Sequence, residues 1–215
     1  VRLGAGQSFD HWLQINNDLL PSAKQRWCTR TMKIRPFEKF VGDDAVVSYI
    51  GIRADEHREG YISKKPTIKP VFPFVDDGLV KEDIFRILEE SVGIPEYYKW
   101  RSRSGCYFCF FQRQDEWLGL KENHPDLFEA AKKYEQRLRE RYDLDTAQKS
   151  FVGTGYYTWN PAGTLDEIVA KAEKRRAEQG IIASSNDQAS KRWQDIFKGQ
   201  DDDDPEDQAC LICSL

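Results

Sequence analysis

Two cysteines separated by two residues, Cys106 and Cys109, lie in the stretch RSRSGCYFCFFQR between basic and aromatic residues. A CxxC pair can bind one metal ion or one iron of a cluster, because both thiolates reach the same point from a tight turn, which Gly105 permits. Thiolates suit zinc and iron-sulfur clusters almost equally, so the spacing leaves both open, with a redox-active pair as a third interpretation. Buried cysteines are often only small hydrophobic residues, but two CxxC pairs in one chain favour metal binding. The remaining cysteines are Cys28, Cys210 and Cys213.

Basic residues accompany the cysteines in two separated segments. Such cations balance the negative charge of thiolates or of a cluster, and they bind phosphate or sulfate groups. A solvated basic face is the ordinary alternative. The repeated company with cysteine instead favours an anion site. The candidate anion-binding residues of this kind are Arg30 and Lys33 after Cys28, and Arg101 and Arg103 before Cys106.

A third group of candidates follows the stretch AVVSYI, whose β-branched apolar run predicts a buried strand of a parallel sheet over 45–56. The run ends in charged residues, among them Arg53 and Glu56. Ligands of open α/β sheets gather at the carboxyl ends of strands, so these two side chains are candidate anion-binding residues. His57 in the same stretch is weak evidence for acid-base chemistry, because a single histidine is usually structural or exposed.

The elements that position these residues follow a βαβ rhythm. A helix is predicted over 8–20, with Ser8 as its cap and Pro21 as its stop, and a short strand over 70–75 is followed by a turn at 76–78. A helix over 81–91 has one apolar face. Beyond the cysteine segment, Pro125 begins a long amphipathic helix. Residues 143–163 show little pattern, and Thr164 and Glu167 predict a capping box for a helix ending near 178.

Composition sets the broad class. The 215 residues are 40% hydrophobic and 13% aromatic, which argues against global disorder and fits one domain with tails. The net charge of −4 provides no overall positive field for nucleic acid or membrane, so any anion site must be local. The apolar runs are too short to span a membrane, and five cysteines without a secretory leader indicate a cytoplasmic protein with metal-binding or redox thiols.

Several of these segments, in this order, resemble the phosphoadenosine phosphosulfate (PAPS) reductase family. This family belongs to the adenine nucleotide α-hydrolase-like superfamily of PP-loop ATP pyrophosphatases. The resemblance covers roughly residues 8–140 and is specific at family level, because independent motifs recur in one order. Its motifs are RWCTRTMKIRP, GIRADEHREGY, KPVFPF, DIFRILEESVGIPEYYKWRSRSGCYFCFFQR and EWLGLKENHPDLFEAAKKYE.

The resemblance implies an α/β fold with part of a Rossmann-like parallel sheet, a helical C-terminal region and a bound adenine nucleotide such as ATP. In many members a 4Fe-4S cluster lies beside the nucleotide. Cys28, Cys106 and Cys109 match cluster-ligand positions, and Arg53 matches a contact to the nucleotide phosphate or sulfate. The first cysteine site differs from the cluster-bearing reductases, which have paired cysteines there, whereas Trp27 and Thr29 flank Cys28. Three cysteines would leave one iron open, unless Cys210 or Cys213 supplies a fourth ligand.

A second departure is the phosphate loop Ser-Gly-Gly-x-Asp-Ser of this family, which does not occur in the 215 residues. We therefore expect the C-terminal part of a longer enzyme, or one piece of a split enzyme whose partner supplies the N-terminal half. The predicted organisation is a reductase-like part at 1–142, a loop and helical extension at 143–198, and an acidic flexible tail with a CxxC pair at 199–215.

Two hypotheses of function follow. The first is an enzyme of sulfur metabolism that uses an adenine nucleotide and a 4Fe-4S cluster for sulfonucleotide reduction or sulfur transfer, with Cys210 or Cys213 as a mobile catalytic nucleophile. The acceptor of a transfer reaction could be nucleic acid. The alternative is a binding subunit without catalysis of its own, stabilised by zinc or a cluster, in a nucleic-acid modification or defence complex.

Overall fold

The computed structural model describes residues 6–56, 62–141, 151–152, 155–156 and 158–178, with the backbone alone at 151–152 and 155–156. The described chain divides into two compact units: residues 6–12 and 26–94 form the first, and residues 13–25 and 95–178 form the second. Among these residues, no helix combines the length and the apolar composition needed to cross a bilayer.

The first helix, α1 (Phe9–Ile15), is shorter than predicted. Ser8 caps it as expected, because its hydroxyl accepts a hydrogen bond from the backbone N–H of His11 at 3.3 Å. The prediction of a helix to residue 20 is wrong, since Asn17 and Asp18 adopt left-handed conformations, with φ of 57° and 58°. Asp18 is held there by ion pairs to Arg137, at 2.8 Å, and to Arg141.

One continuous helical segment carries Cys28 in the first unit. It consists of α2 (Trp27–Thr29), a π-helical turn (Arg30–Ile34) and α3 (Arg35–Val41), which ends at Gly42 with φ of 60°. In the π turn the N–H of Arg35 donates to the carbonyl of Arg30, five residues earlier. Such a turn holds one more residue than an α-helical turn and is frequent at functional sites.

The predicted parallel sheet is present as two strands, β1 (Val46–Tyr49) and β2 (Ile68–Val71), paired from Val46 and Ile68 onward. The mixture of helices with parallel strands confirms an α/β arrangement. The expected burial of β1 on both faces is wrong, because the side chains of Val47 and Tyr49 are 52% and 75% exposed.

The segment after β2 differs from the predicted strand over 70–75. Residues Pro73–Asp76 form a short helix, α4, because Pro73 has no N–H for a strand ladder and suits the first helical position. The predicted turn is confirmed by Gly78, whose φ is 68°. The predicted helix over 81–91 is confirmed as α5 (Lys81–Ser91), which buries Phe85.

Three helices of the second unit pack together: α6 (Gln114–Asn123), α7 (Pro125–Arg141) and α8 (Leu165–Glu178). The predicted Pro125 helix is confirmed as α7. The capping box of α8 is also confirmed, since the N–H of Thr164 donates to Glu167 Oε2 at 2.9 Å and the N–H of Glu167 donates to Thr164 Oγ1 at 3.4 Å. Helix α6 and the antiparallel strands β3 (Phe151–Val152) and β4 (Gly155–Tyr156) were not predicted.

A buried carboxyl, Glu135 on α7, ties this unit together. Glu135 Oε1 accepts the backbone N–H of Trp159 at 2.9 Å, and Oε2 accepts that of Leu165 at 3.1 Å. Burial raises the pKa of Glu135 from 4.5 to about 7, although the two backbone donors act in the opposite direction. The Trp159 indole donates to the carbonyl of Ala131 at 2.9 Å. One side chain therefore joins α7 to the start of α8.

Candidate metal and anion sites

The CxxC pair forms a tight turn in the second unit. The N–H of Cys109 donates to the carbonyl of Cys106 at 3.1 Å, and the N–H of Gln112 donates to the carbonyl of Cys109 at 3.0 Å. Neither cysteine forms a disulfide, and Cys106 is exposed whereas Cys109 is half-buried. The turn therefore presents both thiols from one short loop, as the spacing predicted, and metal binding by them stays a prediction.

The buried side chain of Arg101 forms hydrogen bonds to the backbone of this turn. Its guanidinium, in a residue only 4% exposed, donates to the carbonyl of Gly105 at 3.1 Å and to that of Cys106 at 3.0 Å. We predicted Arg101 as an anion contact that faces a substrate. The structure gives it a positioning role in residues 101–113, which we call the cysteine loop, and a direct contact to a bound anion stays a prediction.

The electrostatics of Arg101 link it to both thiols. Burial lowers the pKa of its guanidinium below the usual value, and neighbouring Arg103 lowers it further. Negative charge on Glu116, Cys109 and Cys106 acts in the opposite direction. Thiolates at the CxxC pair would therefore stabilise the buried cation, and the cation would stabilise them. Among the described residues, Arg101 Nε is buried and has no hydrogen-bond acceptor.

Gly105 is needed for space and not for a left-handed backbone. It is absent from the residues with positive φ. A Cβ atom at this position would lie 2.9 Å from Arg101 Nη2. Sequence reasoning assigned Gly105 to a tight turn, whereas the structure shows that it makes room for the guanidinium.

Gly105→Ala is therefore expected to destabilise the chain by about 1 to 2 kcal/mol, because the added methyl group pushes the guanidinium off two carbonyls. Urea denaturation followed by tryptophan fluorescence measures the change. Ser104→Ala, at the exposed neighbouring position, is the matched control and should unfold like the wild type. Equal stability of the two variants would contradict this account of Gly105.

Glu116 is a site residue that sequence reasoning missed. Its buried carboxylate accepts the backbone N–H of Ser102 at 2.8 Å, the Ser102 hydroxyl at 2.7 Å and the backbone N–H of Arg113 at 3.0 Å. The available signal was its place at the third position of α6, where an acidic side chain caps a helix. Glu116 thereby ties both ends of the cysteine loop to α6.

Aromatic and amide side chains hold the other side of the loop. Phe108 stacks on Trp159, with ring centroids 5.4 Å apart. It also packs against Tyr134 in an edge-to-face arrangement, with ring centroids 5.7 Å apart. Gln112 Nε2 donates to the carbonyl of Tyr107 at 2.8 Å. Arg103 donates to the carbonyl of Phe111 and lies over the Phe111 ring, 5.5 Å from its centroid. Arg103 is thus engaged within the loop, and its predicted role in anion binding has no contact here to test it.

The anion candidates of the first unit lie in two places. Arg53 and Glu56 follow the carboxyl end of β1, where Arg53 pairs with Asp55 Oδ1 at 2.9 Å and with Glu56 Oε1 at 3.2 Å. Burial opposes ionisation of Asp55, but its hydrogen bond and charge interaction with Arg53 lower its pKa overall. Arg30, exposed, and Lys33, half-buried, lie on the π turn that follows Cys28.

The structure thus brings only some of the predicted residues together within each unit. In the first unit Arg53 pairs with Glu56, and in the second unit Arg101 donates to the backbone carbonyl of Cys106. Within either unit, the described residues include no three histidine, cysteine or acidic side chains arranged to hold a metal ion. Cys210 and Cys213 lie outside the described residues, as does His57.

Comparison with known proteins gives one distant relative. The chain is similar to an uncharacterized protein of Methanocaldococcus jannaschii, with 27% identity over 167 residues. The match covers 72% of this chain and 33% of the relative, so the chain spans about a third of the length of the curated relative. No profile of a known protein family and no solved structure matches the chain.

Proposed function

We propose that this chain forms the cysteine-bearing part of a sulfur-metabolism enzyme similar to the PAPS reductases. The observation that carries the proposal is the CxxC turn, in which a buried arginine holds the backbone and leaves both thiols accessible. A purely packing role for these cysteines would bury them. The resemblance of the surrounding motifs to the reductase family adds the reaction class, either sulfonucleotide reduction or sulfur transfer.

The residues of the cysteine loop fit an iron-sulfur cluster. Two accessible thiols at CxxC spacing supply two ligands, and the Arg101 cation offsets part of the negative charge that thiolates and cluster sulfides bring. The buried Arg101 Nε, without an acceptor among the described residues, is a donor available to such a group. Cys106 and Cys109 would hold the cluster, with Cys28 as the third ligand that the resemblance indicates. When bound, the cluster would supply electron transfer or an open iron for sulfur.

The adenine nucleotide is assigned to the end of β1 in this proposal. Arg53 is the residue that would contact an anionic oxygen, since it lies at the carboxyl end of a parallel strand and is only partly exposed. Glu56 and Asp55 orient the guanidinium in the absence of the anion. Lys33 and Arg30, on the turn after Cys28, would add positive charge for the same ligand.

Metal analysis of protein purified without oxygen tests the proposal. We expect about four irons and about four acid-labile sulfides per chain, with the broad visible absorption of a 4Fe-4S cluster. Cys106→Ser should lose this metal because it removes one accessible ligand. Ser104→Ala, two residues away in the same loop, is the matched control and should keep it.

Zinc in place of iron would overturn the sulfur-chemistry proposal. One zinc per chain, lost in Cys106→Ser, would instead support the alternative of a metal-stabilised binding subunit. Cys106 and Cys109 would then act as structural ligands, and the hydrogen bonds of Glu116 to the loop would serve stability alone.

A further inference from the structure

Basic residues form a group on the helical segment 27–41, which carries Cys28 in the first unit. The segment has four basic side chains: Arg30, Lys33, Arg35 and Lys39. Within the part of the chain that the structure describes, none of the four has a hydrogen-bond or ion-pair partner for its side chain. Other cations of this unit, such as Arg53 and Arg86, are paired with neighbouring carboxylates. The segment therefore presents positive charge that no described carboxylate balances.

Three of these side chains follow one side of the segment. Arg30, Arg35 and Lys39 are exposed, whereas Lys33 is half-buried. The N–H of Arg35 donates to the carbonyl of Arg30, so these two residues lie one π-helical turn apart. Lys39 follows Arg35 by four residues in α3, which is about one α-helical turn. The three cations thus stand one above the other over roughly 13 Å, and we call them the basic stripe.

The acidic residue of the same segment is engaged by other groups. Glu38 is the one carboxylate among residues 27–41, and its Oε1 accepts the Ser63 hydroxyl at 2.6 Å. The Nζ of Lys65 donates to the backbone carbonyl of Glu38 at 3.4 Å. Like charges one turn apart on a helix repel each other and lower its stability. The basic stripe is therefore unfavourable for the helix by itself, which favours a role in binding an anionic partner.

Residues 201–207 form an acidic run whose charge complements the stripe. The run reads DDDDPED, with six acidic and no basic side chains. The rest of the chain then has 30 acidic against 32 basic residues, so the run alone makes the chain negative. In an extended peptide, alternate side chains share one side and lie about 6.6 Å apart. This spacing brings Asp202, Asp204 and Glu206 into step with cations one helical turn, about 5.4 Å, apart.

We propose that the acidic run 201–207 binds the basic stripe and shields it from external polyanions. The 22 residues between Glu178 and Asp201 can span about 75 Å when extended, which exceeds the diameter of a typical domain. Exposed ion pairs are weak one by one, but a tether in the same chain raises the effective concentration of the run to about millimolar. Arg30 also belongs to the proposed nucleotide contact, so the tests use Arg35 and Lys39. Their outcome depends on neither metal nor nucleotide.

Carbodiimide crosslinking tests the contact, because this reagent joins a lysine amine to a carboxylate only when the two touch. In the 215-residue chain at about 20 mM salt, we expect Lys39 to be joined to the acidic run. Lys69 on β2 is the matched control, since it is exposed and also has no partner among the described residues, and it should not be joined to the run. Salt at about 0.5 M should weaken the Lys39 crosslink by screening. A mixture of isotope-labelled and unlabelled chains separates crosslinks within one chain from those between two.

Arg35→Glu tests the stripe without altering the crosslinked lysine. It replaces a cation one turn from Lys39 with a charge that repels the run, so the Lys39 crosslink should fall about fivefold or more. Lys69→Glu makes the same charge change outside the stripe and should leave this crosslink unchanged. Equal crosslinking of the run to Lys39 and Lys69, no crosslink from Lys39, or a folded Arg35→Glu variant that crosslinks like the wild type would overturn the proposal. Crosslinks found only between two chains would assign the stripe to a second copy and would also overturn it.

Binding of single-stranded oligo(dT), an external polyanion, tests the shielding and leaves the helical segment unaltered. Neutralising three acidic residues of the run should tighten this binding about fivefold or more, by Asp202→Asn, Asp204→Asn and Glu206→Gln. The control removes the same charge from exposed acidic residues of the first unit without a described partner: Asp76→Asn, Asp77→Asn and Glu90→Gln. It should change the affinity less than about twofold. Equal affinities of the two variants, or a wild type that binds as tightly as the run variant, would show that the run does not shield the stripe and would overturn the proposal.

Discussion

Arg101→Gln is expected to lower the free energy of unfolding by about 3 kcal/mol, one of the two largest effects predicted for this chain. The change removes the cation that donates to the carbonyls of Gly105 and Cys106, which are left without this donor beneath the CxxC turn. It also leaves the buried carboxylate of Glu116 without the neighbouring positive charge. Urea denaturation followed by tryptophan fluorescence measures the loss.

The controls for this prediction separate charge from geometry. Arg101→Lys keeps the charge but not the planar fork, so it should recover only part of the stability. Arg86→Gln removes an arginine whose side chain is 62% exposed and whose ion pair with Asp83 lies on the surface, so it should cost less than about 0.5 kcal/mol. If Arg101→Gln unfolds at the same urea concentration as Arg86→Gln, the buried guanidinium does not hold the loop.

Glu135 should make the stability of the chain fall as pH rises through the weakly acidic range. In the unfolded chain this carboxyl releases its proton near pH 4.5, whereas in the folded chain it keeps the proton until about pH 7. Between these values the folded state binds more protons, so a rise in pH favours unfolding. The difference between the two pKa values corresponds to about 3 kcal/mol of stability, present at low pH and lost by about pH 7.

Glu135→Gln provides the reference, because the amide keeps the shape of the side chain and does not titrate. Urea denaturation of both proteins at a series of pH values gives the difference in stability at each pH. We expect this difference to shift against the wild type between pH 4.5 and about 7, and to stay level below and above that range. Parallel pH profiles of the two proteins would show that Glu135 ionises normally in the folded chain.

Sequence patterns predicted the elements whose apolar residues follow one period. Helices α5, α7 and α8 have an apolar stripe or a defined cap, and their bounds were predicted within a few residues. Helix α6 was missed because residues 116–120 are all buried, so that no polar face marks the helical period. The end of α1 is followed by Asp18, whose ion pairs join it to Arg137 and Arg141 more than a hundred residues away, and no local pattern contains such contacts.

The sequence predicted the two cysteines of the candidate site, Cys106 and Cys109, but not which residues hold their turn in place. The CxxC spacing alone indicates that the two thiols lie on one turn. The stretch RSRSGC offers two arginines of equal chemistry, and nothing local says which one is buried beneath the turn. The negative charge of Glu116 on α6 acts on Arg101, and this tertiary interaction is not visible in the stretch itself.

The π turn after Cys28 affects how this segment should be compared with other proteins. One additional residue between Cys28 and α3 rotates the side-chain directions of α3 about the helix axis by about 100° relative to an uninterrupted α-helix. In a protein whose corresponding helix is regular, the residue facing the same direction as Lys39 would therefore stand one place earlier in the sequence. An alignment without a gap would match the cysteines and then pair inward-facing positions with outward-facing ones. Comparisons of the charged residues around this cysteine need a single-residue insertion at the turn before their spacing has meaning.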